Sequence, residues 1–123
     1  MPKAYLWDWS LVPPAGPRFE NLVAGHLLKF CHAMEDREGH PVELRYIRDR
    51  AGREVDFLVT HKRRPWFAVE VKLSETRPDP ALAYFRDRLA IPWAYQVTLH
   101  GAQDFIQDGI RVLPASTFLA ALV

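Results

Sequence analysis

Residues 42–73 read VELRYIRDRAGREVDFLVTHKRRPWFAVEVKL, and the fold turns on this stretch. Successive side chains of a β-strand point to opposite faces. Residues 42–48 alternate Val42, Leu44 and Tyr46 with Glu43, Arg45 and Ile47. Residues 53–60 alternate Val55, Phe57 and Val59 with Glu54, Asp56 and Leu58. Residues 66–73 alternate Phe67, Val69, Val71 and Leu73 with Trp66, Ala68, Glu70 and Lys72. Asp49-Arg50-Ala51-Gly52 has the composition of a tight turn with glycine at its end, and residues 61–65 read as a polar turn. The pattern predicts a three-stranded antiparallel meander. Glu70 and Lys72 then project from one face of the third strand. With the apolar faces aligned, Asp56 joins them from the neighbouring strand.

Upstream, Phe19, Leu22, Val23, Leu27, Phe30, Cys31 and Met34 recur at helical spacing. They predict a helix from Arg18 to about Glu35, with Pro17 suited to its first turn and a polar loop over 36–41. A short extended segment covers Tyr5 to Trp9. Downstream, Ala81–Leu89 reads as a second helix that Pro92 stops, and Ala94–Leu99 as a fourth strand. Residues 101–109 read as loop, Ile110–Leu113 as a short fifth strand, and Pro114–Leu122 as a helix with Ser116 or the preceding loop as a candidate cap. Helix, three strands, helix, strand is the order of an α/β domain with a mixed sheet flanked by helices. The length of 123 residues fits a single domain over 1–123.

Composition removes several classes. Hydrophobic residues make up 49% and charged residues 25%, a globular balance rather than a disordered one. The single cysteine, Cys31, excludes an internal disulfide and points to a reducing cytoplasm. No run approaches the ~18 apolar residues of a membrane helix, so no membrane partner is expected. His26, His32, His40, His61 and His100 show no metal-ligand spacing, and Ser10, Ser74 and Ser116 sit in no nucleophile motif. Trp7, Trp9, Trp66 and Trp93 are read as core or rim packing before base stacking. Net charge is +1, but residues 45–64 hold Arg45, Arg48, Arg50, Arg53, Lys62, Arg63 and Arg64 against three acids. Such a block can hold phosphates if it clusters in space, with Arg48, Arg50, Arg53, Lys62, Arg63 and Arg64 as candidates. The alternative is a solvated hairpin.

The chemistry-bearing set is Asp56, Glu70 and Lys72, with Glu20 on the helix face of Val23 and Leu27. Carboxylates that converge repel each other, and a hard divalent cation relieves the repulsion. The Val71 carbonyl can add a further ligand. A bound Mg²⁺ or Mn²⁺ lowers the pKa of water, and a lysine can stabilise charge in the transition state. Glu-x-Lys alone is common on solvated strands. Glu54 is the candidate surface member of its row, and Gln96 is read as a satisfied polar group rather than a cleft residue.

Asp56, thirteen residues, then Glu70-Val71-Lys72, preceded by a helix bearing Glu20, resembles the PD-(D/E)xK superfamily, which includes restriction endonucleases and archaeal Holliday-junction resolvases. Phe19-Glu20-Asn21-Leu22-Val23-Ala24, Tyr46 to Asp49, Gly52 to Val59 and Val69 to Lys72 are similar to a branch of it. That branch is the C-terminal domain of a bacterial and archaeal family of AAA+-type ATPases. The likeness covers about residues 3–90. Val55 stands where the motif's proline would be. The resemblance implies a restriction-endonuclease-like αβββαβ core. It also implies Asp56, Glu70, Val71 and Glu20 around Mg²⁺ or Mn²⁺, and Lys72 as the catalytic lysine. The family's P-loop has no counterpart in these residues, so the chain is read as a fragment of a longer ATPase or a stand-alone form. Two functions are expected from different classes. One is a Mg²⁺-dependent phosphodiesterase acting on DNA rather than RNA. The other is an inactive nuclease-like module that binds nucleic acid or a protein, such as an ATPase partner or a second copy in a homodimer.

Overall fold

The computed structural model describes residues 5–8, 18–74 and 77–123. Trp9, Ser10 and Pro13 to Pro17 lie outside the described residues, as does the side chain of Trp7. The elements are β1 (Tyr5–Asp8), α1 (Arg18–Glu38), β2 (Val42–Arg48), β3 (Glu54–His61), β4 (Arg64–Lys72), α2 (Pro80–Arg88), β5 (Trp93–Thr98), β6 (Phe105–Gln107), β7 (Ile110–Pro114) and α3 (Ala115–Ala121). The strands form one mixed sheet in the order β1-β2-β3-β4-β5-β7-β6. The expected meander, β2 to β4, is antiparallel throughout. β5 joins β4 in parallel through the α2 crossover, and β7 joins β5 in parallel.

The sheet is buried on both faces. On one, Phe19, Val23, Leu27 and Cys31 of α1 and Phe118 of α3 pack on Leu44, Phe57, Val59, Phe67 and Val69. On the other, Leu82 and Phe85 of α2 pack on Ile47, Val55, Leu58, Ala68 and Ala94. Burying each of Leu82 and Phe85 contributes roughly 1.5–3 kcal/mol. Ile47 and Leu58, placed in the polar rows by alternation, are therefore core residues under α2. Leu22, placed in the apolar stripe of α1, is exposed instead.

Three boundaries differ for local reasons. α1 runs past Glu35 to Glu38 because its last turn is polar but exposed. Gly39, at φ 74°, ends it by donating to the Glu35 carbonyl. Residues 105–107 are a strand, not loop, because Asp108-Gly109 forms a two-residue hairpin turn with φ of 53° and 75°. Ser116 does not cap α3; Pro114 occupies the cap position and no side chain caps it.

The β3–β4 turn is tighter than the polar stretch 61–65 suggests. His61 pairs with Arg64, leaving only Lys62 and Arg63 between the strands, at φ of 53° and 65°. This backbone suits Asn-Gly, and a residue with a long side chain pays about 1 kcal/mol there. Replacing Lys62-Arg63 by Asn-Gly is expected to raise stability by about 1–2 kcal/mol in urea unfolding. An unchanged or lowered midpoint would show the turn to be unstrained.

Candidate active site

The site forms where the β3–β4 ladder ends. Backbone pairing runs from the hairpin to Phe57 opposite Val69 and goes no further. Beyond it, carboxylates take the place of carbonyls. The Asp56 N–H donates to Glu70 Oε1 at 3.0 Å, and the Val71 N–H donates to Asp56 Oδ2 at 2.8 Å. On the other side, the β2–β3 register slips between Arg45 opposite Leu58 and Ile47 opposite Val55. Asp56 and Phe57 thus share one partner position, Tyr46, which is the geometry of a bulge. Simple alternation breaks here, since Val55 and Leu58 pack in one core and Phe57 and Val59 in the other. The sequence brings Asp56 to Glu70 as expected, by a bulge rather than by strict alternation.

Lys72 completes the cluster. Its Nζ lies 3.4 Å from Glu70 Oε2 and 2.8 Å from Asp79 Oδ2. Asp79, absent from the sequence-derived set, does three things. Its Oδ1 caps α2 by accepting from the Ala81 N–H, its Oδ2 holds Lys72, and its backbone N–H donates to Gln96 Oε1 at 2.8 Å. Asp79-Pro80 is a legible helix start, but the ion pair to Lys72 needs the β4–α2 path. Gln96 is fully buried opposite Glu70 on β5, and its Nε2 donates to the Arg77 carbonyl at 2.7 Å. It is the satisfied polar group the sequence suggested.

Electrostatics mark the cluster as short of positive charge. Burial raises the pKa of Asp56, and the Glu20 charge adds to the rise against the Val71 N–H. Burial also raises Glu70, with the Asp56 charge adding to it. Glu20, in the first turn of α1, is raised by burial and then by Glu54. Tyr46, stacked on Phe57, is pushed up to about 12 by burial and then by Asp56 and Glu20. Cys31 is pushed up to about 12 by burial, which makes it an inert core thiol.

Among the described residues, no three His, Cys, Asp or Glu side chains are gathered as a metal cage. Glu20 acts on Asp56 through its field without closing such a set. Mg²⁺ does not need one: it takes one or two carboxylates and fills the rest with water and phosphate oxygens. Asp56 and Glu70 each accept a backbone N–H on one oxygen, and the second oxygen of Glu70 faces the Lys72 ammonium. Two adjacent carboxylates, one buried and one half-buried, with raised proton affinity fit a hydrated hard cation, and do not fit a zinc cage.

The basic block divides in space. Arg48, Arg50 and Arg53 flank the β2–β3 turn at the Asp56 end. Lys62, Arg63 and Arg64 lie at the other end of β3, roughly 20 Å away at ~3.3 Å per residue. The single patch expected from the sequence is thus two. Arg48 pairs with Glu54, which is exposed as expected, and Arg53 pairs with Asp49 while lying 3.7 Å over the Tyr84 ring. Such exposed pairs are worth about 0–1 kcal/mol, so a phosphate can replace them.

The chain matches the model of the family described as a domain of unknown function, DUF4143, over residues 15–118, and belongs to that family. No curated protein and no solved structure matches it. No described helix is long and apolar enough to cross a membrane.

The raised carboxylates set a pH dependence. The native state holds protons that the unfolded chain, with carboxylates near 4, has released. Their stabilisation is therefore complete only below the unfolded values near 4 and is lost as pH rises through the raised native values. Metal-free protein is expected to be less stable at pH 8 than at pH 5, by on the order of 1–3 kcal/mol. Asp56→Asn keeps an oxygen for the Val71 N–H and is expected to flatten this dependence and raise stability at pH 8. Denaturant midpoints across that range provide the check; stability that climbs with pH would refute the carboxylate strain.

Proposed function

We propose that the protein is a Mg²⁺-dependent phosphodiesterase of restriction-endonuclease-like architecture, acting on DNA. The observation that carries this is the pair of carboxylates, buried Glu70 and half-buried Asp56, joined across an interrupted ladder beside Lys72. The order α1-β2-β3-β4-α2-β5 supports the architecture, since it repeats the expected αβββαβ core. Two converging carboxylates repel each other, and a cation between them relieves that repulsion.

Asp56, Glu70 and the Val71 carbonyl would hold the ion, with Glu20 as an outlying carboxylate. Mg²⁺, when bound, supplies charge for the attacked phosphate and lowers the pKa of its water. The chain's own groups do the rest. Backbone N–H groups fix one oxygen of each carboxylate, which orients the other, that of Glu70 toward Lys72. Asp79 holds the Lys72 ammonium in place and keeps it protonated, through their hydrogen bond and charge. Lys72 then acts as a donor toward charge developing on phosphate oxygens, not as a base. Arg48, Arg50 and Arg53 stand at the same end of the sheet to receive the nucleic-acid backbone.

One observation favours a second reading, an inactive module for nucleic acid or an ATPase partner. Lys72 sits closer to Asp79 than to Glu70, as in a purely structural network. Cleavage separates the two. On linear, single-stranded and branched DNA with Mg²⁺ or Mn²⁺, wild type is expected to cut, and Asp56→Asn or Glu70→Gln to fall to background. Lys72→Met is expected to lose about 10²–10³-fold. Absence of cutting by well-folded wild type on all substrates would favour the inactive module, and equal cutting by Asp56→Asn would remove this mechanism.

A further inference from the structure

At the far end of β3 a groove of about 670 Å³ is lined by Met34, Glu38, His61, Lys62, Arg64 and Trp66. Its volume lies in the range that holds small organic ligands. Three features of its walls come from different causes. The first is charge: Lys62 and Arg64 are both exposed and stand on either side of the two-residue turn. Lys62 is held at positive φ, where Asn or Gly would rest without strain. The second is a re-aimed ring. Val59 pairs with Phe67 and Thr60 with Pro65, so Trp66 is the extra residue of a bulge. Its ring stands 5.7 Å from that of His61. The third is an acceptor: Glu38 Oε1 lies 3.1 Å from His61 Nε2 at the end of α1.

Two cations, an indole and a carboxylate acceptor are complementary to one class of molecule. A phosphate meets Lys62 and Arg64, a planar base meets Trp66 and Met34, and an exocyclic amine meets Glu38. A bare anion has no use for the indole, and an acidic peptide brings further negative charge against Glu38.

We propose that this groove is a nucleotide-binding site, separate from the carboxylate cluster and independent of divalent metal. Its ligand is a base with its phosphate, carried by a free nucleotide or by a single strand. Lys62 and Arg64, close in sequence to the arginines near Asp56, line a groove at the opposite end of β3.

Calorimetric titration of the whole chain in EDTA, with AMP, single-stranded oligo-dA, inorganic phosphate and a glutamate-rich peptide, tests this. The variants are Lys62→Asn/Arg64→Gln, which keeps both positions polar and adds no strain to the turn, and Asp56→Asn. AMP or oligo-dA is expected to bind wild type and Asp56→Asn alike, and the double variant at least tenfold more weakly. Binding of AMP assigns a free nucleotide, and binding of oligo-dA alone assigns a strand. The proposal is overturned if neither binds, if the double variant binds like wild type, or if Asp56→Asn loses binding. It is equally overturned if phosphate or the acidic peptide binds as tightly as the nucleotide. Retention in Asp56→Asn keeps this result separate from any failure of the cleavage assay.

Discussion

Two backbone N–H groups, those of Asp56 and Val71, lie past the end of the β3–β4 ladder, and carboxylates rather than carbonyls receive them. A buried N–H left without an acceptor costs about 1–3 kcal/mol, so the two strands cannot part here unless side chains reach across. Asp56 and Glu70 do so reciprocally, each bonding near the other's strand position. That exchange bridges the two strands past their ladder and, in the same act, brings two acids together in a partly buried space. The surrounding features answer this constraint. Lys72 approaches Glu70, Asp79 holds Lys72, and the cap of α2 fixes Asp79. Gln96, opposite Glu70, ties down the backbone on both sides of Pro78.

This arrangement serves stability poorly. Buried like charges are costly, and the charged form of each acid is disfavoured by its surroundings. A chain selected only to fold would close the ladder with carbonyls and fill the space with apolar groups. The cost supports the proposed cation site, since unfavourable charge often gathers where function lies.

Much of this was legible in the sequence, and the reasons are local. The meander could be read because Val42 to Lys72 alternates, and β2 emerged with the boundaries expected for it. The pairing of Glu70 with Lys72 follows from a spacing of two on a strand. The meeting of Asp56 with Glu70 was also anticipated, but for an incomplete reason, since alternation knows nothing of a bulge. Ile47 and Leu58 were misplaced because a sheet covered on both faces buries both rows. The Asp108-Gly109 turn carried the hairpin signal for β6, and its three-residue strand was simply too short to show alternation. Asp79 could be seen as a helix start but not as the partner of Lys72, because the chain between them reverses direction in a way no periodicity records. Charge clustering failed as a guide for the same kind of reason: β3 is long enough to carry neighbours in sequence to opposite ends of the sheet.

The central claim is that Asp56 and Glu70 form a cation site. Calorimetric titration of Mg²⁺, and of Mn²⁺, into wild type and Asp56→Asn, each with and without duplex DNA, addresses it directly. The account predicts cation uptake by wild type that DNA strengthens and that Asp56→Asn loses. Equal uptake by both proteins, or none by wild type even with DNA present, would contradict it.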